Sequence, residues 1–325
     1  MNEQLNLLVD ALKAAGEPTR LRILALLRKG DLAVGELVQI LDQSQPRLSH
    51  HLKTLANAGL VERLPEGSWV FYRNKTKGWA GRLLESIFVE LDFSQGEFAE
   101  DLQDLSKVRQ ARLASAESYF GGIAKDWDRI RALHFPNEAI EDALLDLARP
   151  HQYQHVIDLG TGTGRMLTLF APYAKQAEGL DLSHQMLSVA RANLSRAGVN
   201  NASVRQGDVT DTPFDNDCAD LVIVHQVLHY LEDPAAVLAE AARILKPGGQ
   251  LLVVDFAPHE LEFLRLEHGH HRLGLRQSDM NEWASRAGLK LEPPRQFAPP
   301  ADLEQGLCVH IWSASRPTIN KEAAA

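Results

Sequence analysis

From Asp158 to Gly164 the chain reads Asp-Leu-Gly-Thr-Gly-Thr-Gly, so Gly160, Gly162 and Gly164 stand at every second position behind an acid. Glycines so spaced let a ligand approach the backbone where a side chain would block it. Asp181 in Gly-Leu-Asp-Leu-Ser and Asp208 in Gln-Gly-Asp follow downstream. A carboxylate can accept two hydrogen bonds from a ribose diol, the role expected of Asp181, and Asp208 is suited to accept from an adenine amino group. Either acid alone also reads as a cap on the next helix. Leu182, Met186 and Val209, their neighbours, are expected to line the same pocket. The loop is not a nicotinamide fingerprint, because Gly-x-Gly-x-x-Gly would need glycine where Arg165 or Leu167 stands. Nor is it a Walker phosphate loop, since no Gly-Lys-Ser/Thr follows.

Further on, Val224-His225-Gln226-Val227-Leu228-His229-Tyr230 offers two imidazoles able to take a proton from a reacting group. His225 and His229 are the candidate bases, and His225 is also expected at the cofactor. Either also reads as a hydrogen-bonded structural histidine. No triad-like partner is readable for them. His259, His268, His270 and His271 raise the question of a metal, yet they lack the carboxylate or cysteine spacing of a ligand set, so no metal is expected.

These residues need a scaffold, and the pattern supplies one. Short β-branched runs at Val156 to Leu159, Ala177 to Asp181, Ser203 to Gln206, Leu221 to Val224 and Leu251 to Phe256 alternate with helical stretches such as Gln185 to Arg196 and Ala235 to Leu245. That alternation predicts an open α/β sheet with parallel crossovers, in which ligands bind at the carboxyl ends of the strands. The three acids and both histidines fall at those ends.

The order Asp-x-Gly-x-Gly-x-Gly, Gly-Leu-Asp-Leu-Ser, Gln-Gly-Asp and Leu-Lys-Pro-Gly-Gly-Gln-Leu-Leu resembles the class I S-adenosylmethionine-dependent methyltransferases over about residues 119–315. The resemblance implies a Rossmann-like sheet, a glycine loop holding the methionine part of S-adenosylmethionine or S-adenosylhomocysteine, Asp181 on ribose and Asp208 near adenine. Arsenite-methylating relatives use several cysteines, and only Cys218 and Cys308 occur here.

The amino-terminal part reads differently. Leu5, Leu8, Val9 and Leu12 recur at helical spacing up to Gly16, Pro18 opens a second helix, and Val34 to Leu41 forms a third. After a turn at Asp42-Gln43-Ser44, a fourth helix places Leu48, Leu52 and Leu55 on one stripe. Gln45, Arg47, Ser49, His50 and Lys53 are left outside, the donor-rich set that meets base edges and phosphates in a major groove. Leu60 to Leu64 and Trp69 to Arg73 then read as a hairpin wing, with Arg63 and Arg73 as further DNA contacts.

Glu17-Pro18-Thr19-Arg20-Leu21-Arg22-Ile23-Leu24, the segment Ser44 to Leu52, and Ala58-Gly59-Leu60-Val61 resemble the ArsR family of winged-helix repressors over about residues 5–77. The resemblance implies a homodimer on double-stranded operator DNA that responds to a ligand. Metal-sensing members carry cysteines where Ala33 and Gly35 stand, so thiolate metal sensing is not expected there.

The chain has 325 residues and a formal charge of −9, which argues against a protein that coats nucleic acid indiscriminately. Between Arg47 and Lys77, however, six basic residues face only Glu62 and Glu66. Two well-separated cysteines suggest a reducing cytoplasm, and no apolar run reaches membrane-spanning length. The expected organisation is α/β overall: a winged helix-turn-helix over 1–79, a helical connector over 80–118 that pairs with its twin or packs on its own domain, a methyltransferase-like domain over 119–316, and a tail. Tyr119, Phe120 and Trp127 read as ligand cover or as plain core. The expected function is a repressor whose methyltransferase-like domain binds S-adenosylhomocysteine or S-adenosylmethionine as effector, an architecture resembling known repressors of methyl-cycle genes. The alternative is an active methyltransferase for a small acceptor, with an autoregulatory DNA reader. Methylation of DNA bases is disfavoured, because no Asn/Asp-Pro-Pro-Tyr/Phe motif follows the fourth strand.

Overall fold

The computed structural model describes residues 3–66, 69–76, 78–112, 137–148, 152–298 and 306–318. The chain divides into two compact units, Met1–Ser115 and Ala116–Ala325. The expected ligand cover, Tyr119, Phe120 and Trp127, and most of the tail lie outside the described residues.

In the first unit, α1 (Glu3–Ala15), α2 (Pro18–Leu27), α3 (Val34–Leu41) and α4 (Gln45–Asn57) are followed by β2 (Val61–Glu66) and β3 (Trp69–Asn74), which pair antiparallel with the short β1 (Leu32–Ala33) on β3's other edge. Glu17 caps α2 by accepting from Arg20 N at 2.9 Å, and Pro18 stands where a missing N–H costs nothing. Asp42 takes the left-handed conformation (φ 49°), which ends α3 and turns the chain into α4. Leu48, Leu52 and Leu55 are fully buried, each stabilising the unit by about 1.5–3 kcal/mol.

The connector belongs to this unit. In α5 (Gly78–Val89), Leu84 and Phe88 enter the same core as Leu48 and Leu52, and so do Leu105 and Val108 of α6 (96–112). Within the single chain the first connector helix thus packs on its own domain. The apolar face left open is instead that of α1, where Leu5, Leu7, Leu8 and Leu12 are exposed while Ala11, Ala14 and Ala15 face inward. The helix expected at the amino terminus is present, with its alanines on the core side.

In the second unit α7 (Asn137–Ala148) precedes a sheet in which β4 (Tyr153–Leu159), β5 (Ala174–Asp181), β6 (Ala202–Gln206), β7 (Ala219–His225) and β8 (Leu245–Phe256) run parallel. The helices α8 (Arg165–Phe170), α9 (His184–Arg196) and α10 (Pro234–Ile244) make the crossovers, and α11 (Glu262–His268) and α12 (Gln277–Arg286) follow β8. The expected open α/β sheet with parallel crossovers is present, and it carries antiparallel strands at one edge. β11 (Val309–Ser315) runs antiparallel beside β8 and also pairs β9 (Lys290–Leu291) and β10 (Arg295–Phe297). Strand order is β10-β11-β8-β7-β4-β5-β6, so the chain reverses direction of growth between β4 and β7, the switch point where such sheets open a crevice. Period-two alternation divides the strands between two cores: Leu221, Ile223, Leu252 and Val254 on one face, Val222, Val224, Leu251 and Val253 on the other.

Candidate functional site

The glycine loop emerges from β4 at that switch point. Gly160 N and Thr161 N both donate to Leu180 O, at 2.7 and 2.9 Å, which ties the loop to the end of β5. Gly160, Gly162 and Gly164 all have positive φ (76°, 52° and 78°), the left-handed region that disfavours side chains. Space separates their roles. A Cβ on Gly160 would meet Val227 Cγ1 at 2.9 Å, and one on Gly164 would meet Ala190 Cβ at 3.1 Å, whereas Gly162 faces open space. Gly160 and Gly164 therefore serve close packing, and Gly162 is the place where a ligand can lie on bare backbone.

Two carboxylates flank the loop. Asp158 is buried at 1% exposure, and its Oδ2 accepts from Thr161 Oγ1 at 2.6 Å while Oδ1 has no hydrogen-bond partner. Burial pushes its carboxyl up to about 7; the nearby charge of Asp181 adds to the rise, and the Thr161 bond opposes it. Asp181 accepts from Gly162 N through one oxygen and from Ser183 N through the other, both at 2.8 Å. Each carboxylate oxygen keeps a second lone pair, so Asp181 braces the loop and can still receive a diol. Leu182 beside it is 70% exposed, a large apolar surface facing water, and Met186 in the first turn of α9 is half-buried. Asp208 is exposed, and its Oδ1 accepts from Thr210 N and Oγ1 at 2.8 and 2.7 Å, which holds its pKa below the ordinary value. Val209 is buried below it. Open backbone at Gly162, spare carboxylate lone pairs and an exposed apolar shelf at Leu182 suit the ribose, the base and the amino-acid part of an adenosyl sulfur nucleoside.

At the end of β7, His225 is half-buried, and Gln226 adopts φ 56°, uncommon for glutamine. That turn drops Val227 onto Gly160. His229 is buried at 1% exposure, its Nδ1 lying 2.7 Å from Oδ1 of the fully buried Asp255. The carboxylate orients the ring through Nδ1, and Nε2 is buried without a hydrogen-bond partner. His229 thus does have an orienting carboxylate. Sequence reasoning missed Asp255, although an acid closing the apolar run Leu-Leu-Val-Val-Asp carries the same signal as Asp158 and Asp181. His270 packs its ring 4.2 Å from that of His229, and burial first, then the neighbouring His229, lowers its pKa to about 3. Among the described residues no group of three or more His, Cys, Asp or Glu side chains is placed to hold a metal ion.

In the first unit Gln45, Arg47, Ser49, His50 and Lys53 are all exposed along α4, and Arg63 is exposed on the wing. Arg73 is the exception. Its guanidinium makes a two-point ion pair with Asp31 at 2.8 and 2.6 Å, and both groups are largely buried. It locks the wing to the segment before α3, so this expected DNA contact is held in an ion pair within its own unit. His51, unremarked in sequence, is buried against Glu17 at 3.5 Å.

Comparison with known proteins agrees with this division. Residues 17–63 match the family of bacterial regulatory proteins of the arsR type, and residues 157–253 match the methyltransferase domain family. The two matched stretches fall one in each compact unit, and each spans less than a third of the chain. An uncharacterized methyltransferase of Bacillus subtilis (strain 168), YcgJ, is 29% identical over 184 residues, covering 49% of this chain and 72% of its own length. A demethylmenaquinone methyltransferase of Clavibacter sepedonicus is 32% identical over 50% of this chain, which spans 64% of that relative. The solved structure of the Bacillus subtilis protein aligns with a TM-score of 0.47 at 22% identity, covering 55% of this chain and 97% of that one. Among the described residues no helix is long and apolar enough to cross a membrane.

Proposed function

We propose that the protein is a transcriptional repressor whose methyltransferase domain reads an adenosyl sulfur nucleoside, S-adenosylhomocysteine or S-adenosylmethionine, and passes its occupancy to operator DNA. The observation that carries this reading is the presence in one chain of an exposed, donor-rich α4 and a glycine loop open at Gly162 between Asp158 and Asp181. Gln45, Arg47, Ser49, His50 and Lys53 supply base and phosphate contacts in the major groove, with Arg63 on the adjacent backbone. Asp181 receives the ribose, Leu182 and Met186 line the base, and Asp208 with Val209 bounds its far side. The working form is a homodimer, because half-sites one DNA turn apart need two recognition helices, and the exposed leucines of α1 offer an apolar face for the second copy. An effector acts only if it binds the DNA-competent and DNA-free states unequally. Calorimetry of the full chain with each nucleoside tests the pocket. Saturable binding of at least one is expected, and binding of neither overturns the reading.

A second reading is favoured by the His229–Asp255 pair: methyl transfer to a small acceptor, with the DNA-binding unit regulating its own synthesis. A sulfonium methyl is already activated, so the protein's task is to hold the acceptor and, where needed, take its proton. An imidazole oriented through Nδ1 by a carboxylate, with Nε2 left without a hydrogen-bond partner, is suited to that. Transfer of labelled methyl to an acceptor in cell extract, lost in His229→Asn, separates this reading from pure sensing.

A further inference from the structure

Beyond β8 the chain folds back on the carboxyl edge of the sheet. Leu275 N donates to Phe256 O at 2.8 Å and His259 N to Leu273 O at 3.1 Å. Gly274, at φ 81°, packs so closely on Ala257 and Pro258 that a Cβ there would overlap their backbone. This return walls a cavity of about 500 Å³, into which His259, Arg265, Arg272, Arg276, Glu260 and Asp279 contribute. Three guanidinium groups thus stand against two carboxylates.

Hydrogen-bond accounting gives the cavity a preference. His259 Nδ1 accepts from Leu261 N at 3.2 Å, so the neutral ring carries its proton on Nε2, and that nitrogen is buried with no partner. Burial lowers the pKa of His259, which keeps the ring neutral. Arg272 donates through one terminal nitrogen to Glu232 O at 3.0 Å and lies over the Trp283 ring, while its Nε is buried and unpartnered. Arg265 is shared with Glu262 at 3.2 Å, and Arg276 is exposed on the rim. His259 and Arg272 both line the cavity and each leaves a donor without a partner, so the group that suits this wall is an acceptor.

We propose that this cavity is a binding site for the oxyanion group, carboxylate or phosphate, of a small organic molecule. The Phe256 ring packs between those of His259 and His229, at centroid distances of 6.2 and 5.0 Å, so one aromatic ring separates the cavity wall from the His229–Asp255 pair. That position fits a methyl acceptor or a second effector, and the site itself does not depend on the adenosyl reading.

The test titrates the full chain with inorganic phosphate, followed by phosphorus NMR line broadening, and with malonate as competitor, at ionic strength held constant with sodium chloride. Saturable phosphate binding is expected, displaced by malonate and unchanged by saturating S-adenosylhomocysteine. Arg276→Gln and Arg265→Gln, both on the exposed rim, are expected to weaken it by about tenfold each, the scale of one charged hydrogen bond, with recovery in Arg276→Lys. No saturable binding, or full affinity in both glutamine variants, overturns the proposal. Competition by S-adenosylhomocysteine also overturns it, because the cavity would then be holding that nucleoside's own carboxylate. Calorimetry with S-adenosylhomocysteine on the same samples reports separately on the adenosyl pocket.

Discussion

Asp255, at the end of β8, holds His229 by a 2.7 Å hydrogen bond to Nδ1, with both side chains buried and the same carboxylate also accepting from Phe256 N at 2.8 Å. A buried pair of this kind is costly to break from one side, because the remaining charge loses its partner. His229→Ala is expected to destabilise the carboxy-terminal unit by about 3–5 kcal/mol, and Asp255→Asn, which keeps an acceptor oxygen, by about 1–2 kcal/mol. Urea unfolding of the two variants checks the order. Equal, negligible losses would mean that the pair is not holding the end of β8.

The glycines of the loop should separate in the same way. Gly160→Ala brings both a positive φ and a collision with Val227, so a stability loss of about 2–4 kcal/mol is expected, combining overpacking with backbone strain. Gly162→Ala meets no atom and costs about 1 kcal/mol of strain, yet it occupies the open cradle. Calorimetry should therefore find S-adenosylhomocysteine binding weakened by at least about tenfold in a well-folded Gly162→Ala protein. Undiminished affinity there would remove Gly162 from the pocket.

On the DNA side, exposure predicts which cations meet phosphate. Lys53→Ala should reduce the slope of log affinity against log salt by about 1, and Arg47→Ala should weaken binding and relax base preference. Arg73→Ala should instead lower the stability of the amino-terminal unit by about 3–5 kcal/mol, since it strands buried Asp31. Filter binding across a salt series, beside thermal unfolding, distinguishes the two. A salt slope that falls in the Arg73 variant with stability intact would restore that residue to the interface.

Asp158 sets a pH dependence of definite sign. Its carboxyl is raised from the ordinary range to about 7 in the folded protein, so the folded state holds a proton that the unfolded state has released between about pH 4 and 7. The stability this group contributes is complete below about pH 4, declines as pH rises through that window, and is gone above about 7. Asp158→Asn, which cannot ionise, should flatten the stability profile across the window. A variant profile parallel to the parent's would show that the acid titrates normally.

Much of this was legible in the residues, because the features concerned are local. The stripe Leu48, Leu52 and Leu55, the loop Gly160 to Gly164 and the five parallel strands follow from spacing alone, and the strands end within a residue of their expected bounds, although β8 begins six residues earlier, at Leu245. What sequence did not give are pairings between distant segments. Asp255 meets His229 across 26 residues, Arg73 meets Asp31 across 42, and β11 joins the sheet antiparallel beyond two helices and two short strands. The leucine spacing in α1 marks a helix without saying which face is covered, and it is Ala11, Ala14 and Ala15 that join the core. Local pattern fixes an element's period, but its partner decides which side is covered.

The central claim is that occupancy of the adenosyl pocket changes the grip on DNA, and fluorescence anisotropy of the full chain on its operator, at one fixed salt concentration, tests it most directly. With saturating S-adenosylhomocysteine the dissociation constant is predicted to change by about 5- to 150-fold, the range of ordinary allosteric coupling, and Gly162→Ala should move the response to at least about tenfold higher nucleoside concentration without altering DNA binding in its absence. Identical operator affinity with and without the nucleoside, in protein shown by calorimetry to bind it, would contradict the account.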